Sequence, residues 1–298
     1  MKVLLLGGNG QVGTDLRRSL APMAEVITTT RSGALPDGTP AVALDLSDLD
    51  SIAPLLARID PDVVVNATAY TAVDRAEQDA ELAHRINAAA PRRLAMACTA
   101  MGVTLVHYST DYVFDGSGSR PYREDDPTSP LGVYGASKLA GEEAIRASGA
   151  RHLILRTAWV YATHGQNFLR TMLRIGADRD ELRVVADQVG SPTPAWLIAD
   201  VTATILAKGI DQSGVRHLVA GGQTTWHGFA EAIFEEAQLG GFIDRVPRVL
   251  PITTAEYPTP ARRPAYSVLD CARLQTEYAV AIPDWRAALR DTLAASER

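Results

Sequence analysis

Short, bounded apolar runs recur through the first half of the chain, separated by longer stretches of mixed polar and apolar residues. Lys2 to Leu6, Glu25 to Thr29, Ala41 to Leu44, Asp62 to Asn66, Val103 to Tyr108 and His152 to Arg156 have the near-continuous apolar make-up of strands buried on both faces of a parallel sheet. Between them lie helical stretches: Thr14 to Leu20, a segment beginning near Ser47, and Val73 to about Met101, restarted at Pro91, a residue suited to a first helical turn. Strand and helix in alternation predict an α/β fold with a doubly wound parallel sheet. Beyond residue 160 the pattern becomes less regular, with helical sequence at Asn167 to Ile175 and Trp285 to Leu293. A boundary there divides the chain into residues 1–160, to which some later segments return, and 161–298, mainly a smaller, discontinuous domain.

With 298 residues, 46% of them hydrophobic, the chain can bury a sizeable core. Its net charge of −6 argues against general binding to nucleic acid or to a membrane surface. An anionic ligand must therefore meet local positive charge. Two separate cysteines, Cys98 and Cys271, offer no metal-ligand spacing and fit a reducing, cytoplasmic setting. No apolar run approaches the length of a membrane span, Val3 to Leu6 is too short for a signal-peptide core, and no internal repeat is visible.

The first strand runs directly into Gly7-Gly8-Asn9-Gly10-Gln11-Val12-Gly13. Gly7 permits a tight strand-to-helix turn, Gly10 lets a pyrophosphate approach backbone N–H groups, and Gly13 lets helix pack on strand. Strand before and helix after make this a Rossmann-like dinucleotide loop, and residues 1–160 an NAD(P)-binding domain. At the end of the second strand, where an NAD-specific protein offers Asp or Glu to the ribose, this chain has Arg31 between Thr30 and Ser32. A guanidinium suits a 2′-phosphate, which favours NADPH and leaves NADH open; Arg31 also fits a plain surface charge. Asp45 and Leu46 end the third strand, where a side chain meets the adenine, although Asp45 equally suits a helix N-cap. Small residues in Ala67 to Thr71, after the fourth strand, leave room for a cofactor at the sheet's carboxyl edge.

Tyr134 and Lys138 stand four apart in Tyr-Gly-Ala-Ser-Lys, on one face of a helix. An ammonium beside a phenol favours the phenolate and eases proton release to an oxygen acquiring negative charge, as carbonyl reduction requires. The fifth strand delivers Ser109-Thr110-Asp111 to the same edge, within reach of that phenol, although a Ser-Thr pair also reads as an ordinary cap.

Glycine loop, strand-end Thr110 and Tyr134-x-x-x-Lys138 occur in the order of the extended short-chain dehydrogenase/reductases. With Asn66 to Glu77, Ser109 to Gly116, Arg156 to Tyr161 and Asp187 to Thr193, the chain resembles the dTDP-4-dehydrorhamnose reductases of that family over nearly its whole length. The resemblance implies NADPH-dependent reduction of the C4 keto group of a dTDP-sugar in dTDP-rhamnose biosynthesis. It implies a cofactor site of Gly7, Gly10, Gln11, Val12, Gly13, Ala69, Tyr70 and Thr71 with Tyr134 and Lys138, and catalysis by Thr110, Tyr134 and Lys138. On the substrate side it implies Asp111 in the sugar pocket or in a structural role, Trp159 as a sugar platform or a core residue, and Asn167 against the nucleotide diphosphate. Arg262, paired with Arg263 in an acidic chain, suits a diphosphate or a plain surface. Asp111 is followed by Tyr112 where a 4,6-dehydratase of this family is expected to carry Glu, which argues against dehydration. A related epimerase/reductase and a non-catalytic regulatory subunit, resembling the methionine adenosyltransferase beta subunit, stay open. So do a homodimer and an Mg2+ requirement, since carboxylates such as Asp15 form no ligand pattern and no metal site is expected.

Overall fold

The computed structural model describes residues 1–295. In chain order the strands are β1 (Lys2–Leu6), β2 (Glu25–Thr30), β3 (Val42–Ala43), β4 (Val63–Asn66), β5 (Thr104–Thr110), β6 (His152–Thr157), β7 (Val160–Tyr161), β8 (Glu181–Val185), β9 (Val189–Gly190), β10 (Thr193–Pro194), β11 (Gly214–His217), β12 (Thr224–Thr225) and β13 (Arg248–Ile252). The helices are α1 (Gln11–Leu20), α2 (Ile52–Ile59), α3 (Val73–Ala76), α4 (Ala80–His84), α5 (Ala90–Met101), α6 (Val133–Ala147), α7 (Phe168–Asp178), α8 (Ala195–Lys208), α9 (Trp226–Leu239), α10 (Ala272–Tyr278) and α11 (Trp285–Ala295).

Seven parallel strands form the central sheet in the order β11-β6-β5-β4-β1-β2-β3. The order reverses at β1, so β1 and β4 flank a crevice at the sheet's carboxyl edge, where open α/β sheets bind ligands. Alternation in β1 shows why its run reads as continuously apolar. Val3 and Leu5 pack with Leu16 of α1 and Ile198 of α8, while Leu4 and Leu6 pack with Leu56 of α2 and Leu94 of α5. Residues 195–217 thus rejoin the sheet domain, with α8 on α1 and β11 on β6. A separate core of Leu169, Leu182, Phe229, Phe234, Leu289 and Leu293 knits α7, β8, α9 and α11 into the smaller unit.

Three boundaries differ from the pattern read in the sequence. β5 extends through Ser109 and Thr110 because these pair with Arg156 and Thr157 of β6. β3 shrinks to two residues, and the cap of the following helical turn is Asp48, which accepts from the Asp50 N–H. Asp45 instead accepts from the Ser47 N–H at 2.9 Å and closes a local turn. The predicted long helix after Val73 is broken into α3, α4 and, through a π-helical turn at Arg85–Ala89, α5 with Pro91 in its first turn. No helix among the described residues is long and apolar enough to cross a membrane.

Candidate active site

A cleft of about 560 Å³ opens at the carboxyl edge of the sheet. The glycine loop forms its floor, the segment after β4 one wall, and Tyr134 and Lys138 another. Gly7 and Gly8 both donate to the Thr29 carbonyl, which pins the loop to β2. Gly7 sits at φ +80°, in the left-handed region, and a Cβ on Gly13 would lie 2.0 Å from the Gly7 oxygen. No larger residue fits at Gly13 without opening the turn. α1 begins with no side-chain cap and no acidic residue in its first turn, so its leading N–H groups are left for an anion. A dinucleotide diphosphate fits this arrangement.

Gln11, Val12, Ala69 and Thr71 line the cleft with Gly7 and Gly10, as expected of cofactor residues. Tyr70, Arg31, Asp45 and Leu46 stand apart from that lining. The Tyr70 phenol donates to Asp79 at 2.8 Å, and its backbone is clamped on both sides by the amide of Asn87. The Leu46 side chain is buried in the core with Leu44 and Ile52. Arg31 is exposed at the end of β2 and faces Asp45 electrostatically.

β5 and α6 converge on the reacting position. The Tyr134 phenol lies beside Thr110, whose hydroxyl donates to Asp111 at 3.0 Å and accepts from the Tyr112 N–H at 3.2 Å. Loss of solvent around the phenol pushes its pKa up to about 12, against the smaller effect of Thr110. This differs from the expected easing by Lys138. The lysine Nζ lies 2.6 Å from the Tyr108 carbonyl and 3.3 Å from His107 Nε2, and burial lowers its own pKa to about 8. The amine is therefore bound to β5, and desolvation is the larger influence on the phenol.

The substrate side is more divided. Asp111 is buried, its carboxyl raised to about 6 by desolvation, with one oxygen unpartnered. Tyr112 meets Tyr134 edge to face at 5.7 Å. Arg262 is exposed beside Tyr112 and Tyr134, whereas Arg263 is held 2.8 Å from Asp74, so the two guanidiniums do not act as a pair. Asn167 caps α7 by accepting from Arg170, and its amide nitrogen donates to Gln11 and to the carbonyls of Ala162 and His164. Both ends of that side chain are committed, which leaves Asn167 no atom for a diphosphate in this arrangement. Trp159, at φ +48°, stacks on Trp226 with ring centroids 3.6 Å apart. It is partly buried and packs against the core cluster of Val113 and Phe114, and its left-handed backbone is of the kind that clusters at functional positions.

Sequence reasoning passed over His107, Asn66, Asn87 and Trp226. A single polar residue within an apolar strand, as at His107, was the one available signal. Trp226 carried none, because its partner is 67 positions away in the chain.

Comparison with known proteins agrees with this geometry. Residues 1–298 match the family described as RmlD substrate binding domain. A dTDP-4-dehydrorhamnose reductase of Burkholderia thailandensis is 48% identical over 298 residues, covering 97% of each chain. Among solved structures, a dTDP-4-dehydrorhamnose reductase from Clostridium acetobutylicum superposes with a TM-score of 0.89 at 35% identity, covering 100% of both chains. One from Bacillus anthracis, solved in complex with NADP, gives a TM-score of 0.89 at 32% identity over 99% of both. A family match over the full length and relatives of up to 48% identity, on a fold whose glycine loop, Tyr134 and Lys138 line one cleft, place this chain in the dTDP-4-dehydrorhamnose reductase family.

Proposed function

We propose that the chain reduces the C4 keto group of dTDP-4-dehydro-β-L-rhamnose with NADPH, giving dTDP-β-L-rhamnose in the last step of dTDP-rhamnose biosynthesis. The observation that carries this reading is Tyr134, beside Thr110, lining one cleft with Lys138 and the glycine loop. When bound, NADPH supplies the hydride that reaches the keto carbon. Tyr134 donates its proton to the oxygen as that oxygen becomes an alkoxide, and Thr110 offers it a second hydrogen bond. A phenol held near 12 stays protonated until an alkoxide, a far stronger base, forms beside it. Lys138 lines the cleft and is available to the nicotinamide ribose. Arg31 supports NADPH over NADH, and Arg262, exposed beside Tyr112 and Tyr134, offers a cation for the substrate diphosphate. Among the described residues no group of three or more His, Cys, Asp or Glu is arranged to hold a metal ion.

The test is loss of reduced-nicotinamide absorbance when the purified protein meets dTDP-4-dehydro-β-L-rhamnose, with NADPH and NADH in parallel. Formation of dTDP-rhamnose is expected, faster with NADPH at low cofactor concentration. No turnover by a protein that still binds NADPH would overturn the assignment.

A further inference from the structure

Behind the reacting groups lies a buried polar chain that the proposed reaction does not use. Asn66 of β4, His107 of β5 and Lys138 of α6 are 1%, 0% and 2% exposed. Asn66 and His107 are direct partners in the parallel register. The Thr68 backbone N–H, which can only donate, bonds to one side-chain atom of Asn66 at 3.1 Å, and the Thr68 hydroxyl meets the same atom. That atom is therefore the oxygen, and the amide nitrogen faces His107 Nδ1 at 3.0 Å.

An amide nitrogen offers no lone pair, so Nδ1 must accept. A neutral imidazole with an accepting Nδ1 carries its proton on Nε2. Burial, the larger cause, holds His107 well below its ordinary pKa, so the ring is neutral. Its Nε2–H then points at Lys138 Nζ, 3.3 Å away. An ammonium there sets two donors head to head, whereas a neutral amine accepts from Nε2–H and donates to the Tyr108 carbonyl at 2.6 Å. We propose that His107, locked by Asn66 as the Nε2–H tautomer, is a positioning residue that sets an N–H donor against Lys138 Nζ and so favours the neutral amine relative to the ammonium.

The other groups around Lys138 are accounted for. Glu142, one turn on along α6, favours the charged amine, but its carboxylate is held by Arg156 of β6 through bonds of 2.7 to 3.2 Å. Tyr134 lies one turn back on the same helix with its phenol protonated, and Asp111 faces that phenol. Asn66 contributes no charge from β4, and the Tyr108 phenol of β5 is turned away to Thr202. The inference deepens the reductase reading and rests on it for its purpose, since Lys138 is the group tuned.

The test uses the cofactor-free, full-length protein and does not depend on turnover. The sequence holds three lysines and six histidines, few enough to resolve by nitrogen NMR. In the unmodified protein His107 is expected to show a bare Nδ1 and a protonated Nε2, and Lys138 to titrate near 8. Asn66→Leu frees Nδ1 to take the proton, and His107→Phe removes the opposing N–H; each is expected to raise the Lys138 midpoint by about one pH unit, tenfold in protonation. A proton on Nδ1, or an unmoved midpoint in both variants, overturns the proposal. Should the variants fail to fold, the tautomer in the unmodified protein decides it alone. A tautomer as expected in a protein without turnover would leave the lock standing and fell the reductase reading instead.

Discussion

Arg156 grips Glu142 with two nitrogens, in a pair whose side chains are 3% and 0% exposed. The pair ties β6 to the helix that carries Tyr134 and Lys138. Removing one charge strands the other in the core, which costs about 3–5 kcal/mol. Glu142→Gln is therefore expected to lower unfolding stability by that amount in urea titrations. A loss below about 1 kcal/mol would show that the pair contributes little.

Tyr134→Phe deletes the proton donor and keeps the ring packed against Tyr112. The turnover rate is expected to fall by about 10²–10⁴-fold with NADPH affinity retained. Near-parent turnover would remove Tyr134 from its role.

Arg31→Ala removes a cation at the end of β2. The Michaelis constant for NADPH is expected to rise about tenfold, the worth of one charge-assisted contact of ~1.5 kcal/mol, with NADH little changed. Equal changes for both cofactors would show that Arg31 does not read the 2′-phosphate.

Asp111, raised by burial to about 6, holds its proton more tightly folded than unfolded. Stability is therefore lost as pH rises from about 4 to about 6 and stays lower above that range. Asp111→Asn removes the titration, so its stability relative to the parent is expected to improve across this window by up to about 3 kcal/mol. Parallel stability curves for the two proteins would show that Asp111 titrates normally.

The sheet was legible because strands buried on both faces leave unbroken apolar runs, as in Val3 to Leu6. The loop was legible because Gly13 has no room for a side chain. Tyr134 and Lys138 could be placed on one helix face, but the direction of the lysine amine could not, since its partners His107 and Tyr108 lie on another element. Asn167 looked available for the opposite reason: its bonds to Gln11 and to nearby carbonyls form only once the chain has folded back on itself. Asp45 and Asp48 illustrate a local ambiguity, two acids three apart that both suit a cap, settled by where the turn begins.

The Asn167–Gln11 bond, 2.8 Å long across 156 positions of sequence, also limits how this protein can be taken apart. The nucleotide cradle and the opening turn of α7 are matched pieces. Exchanging the N-terminal half for one of different coenzyme preference would separate that match unless positions 11 and 167 travelled together. A chimera that changes only one of positions 11 and 167 would lose this tie between the glycine loop and α7.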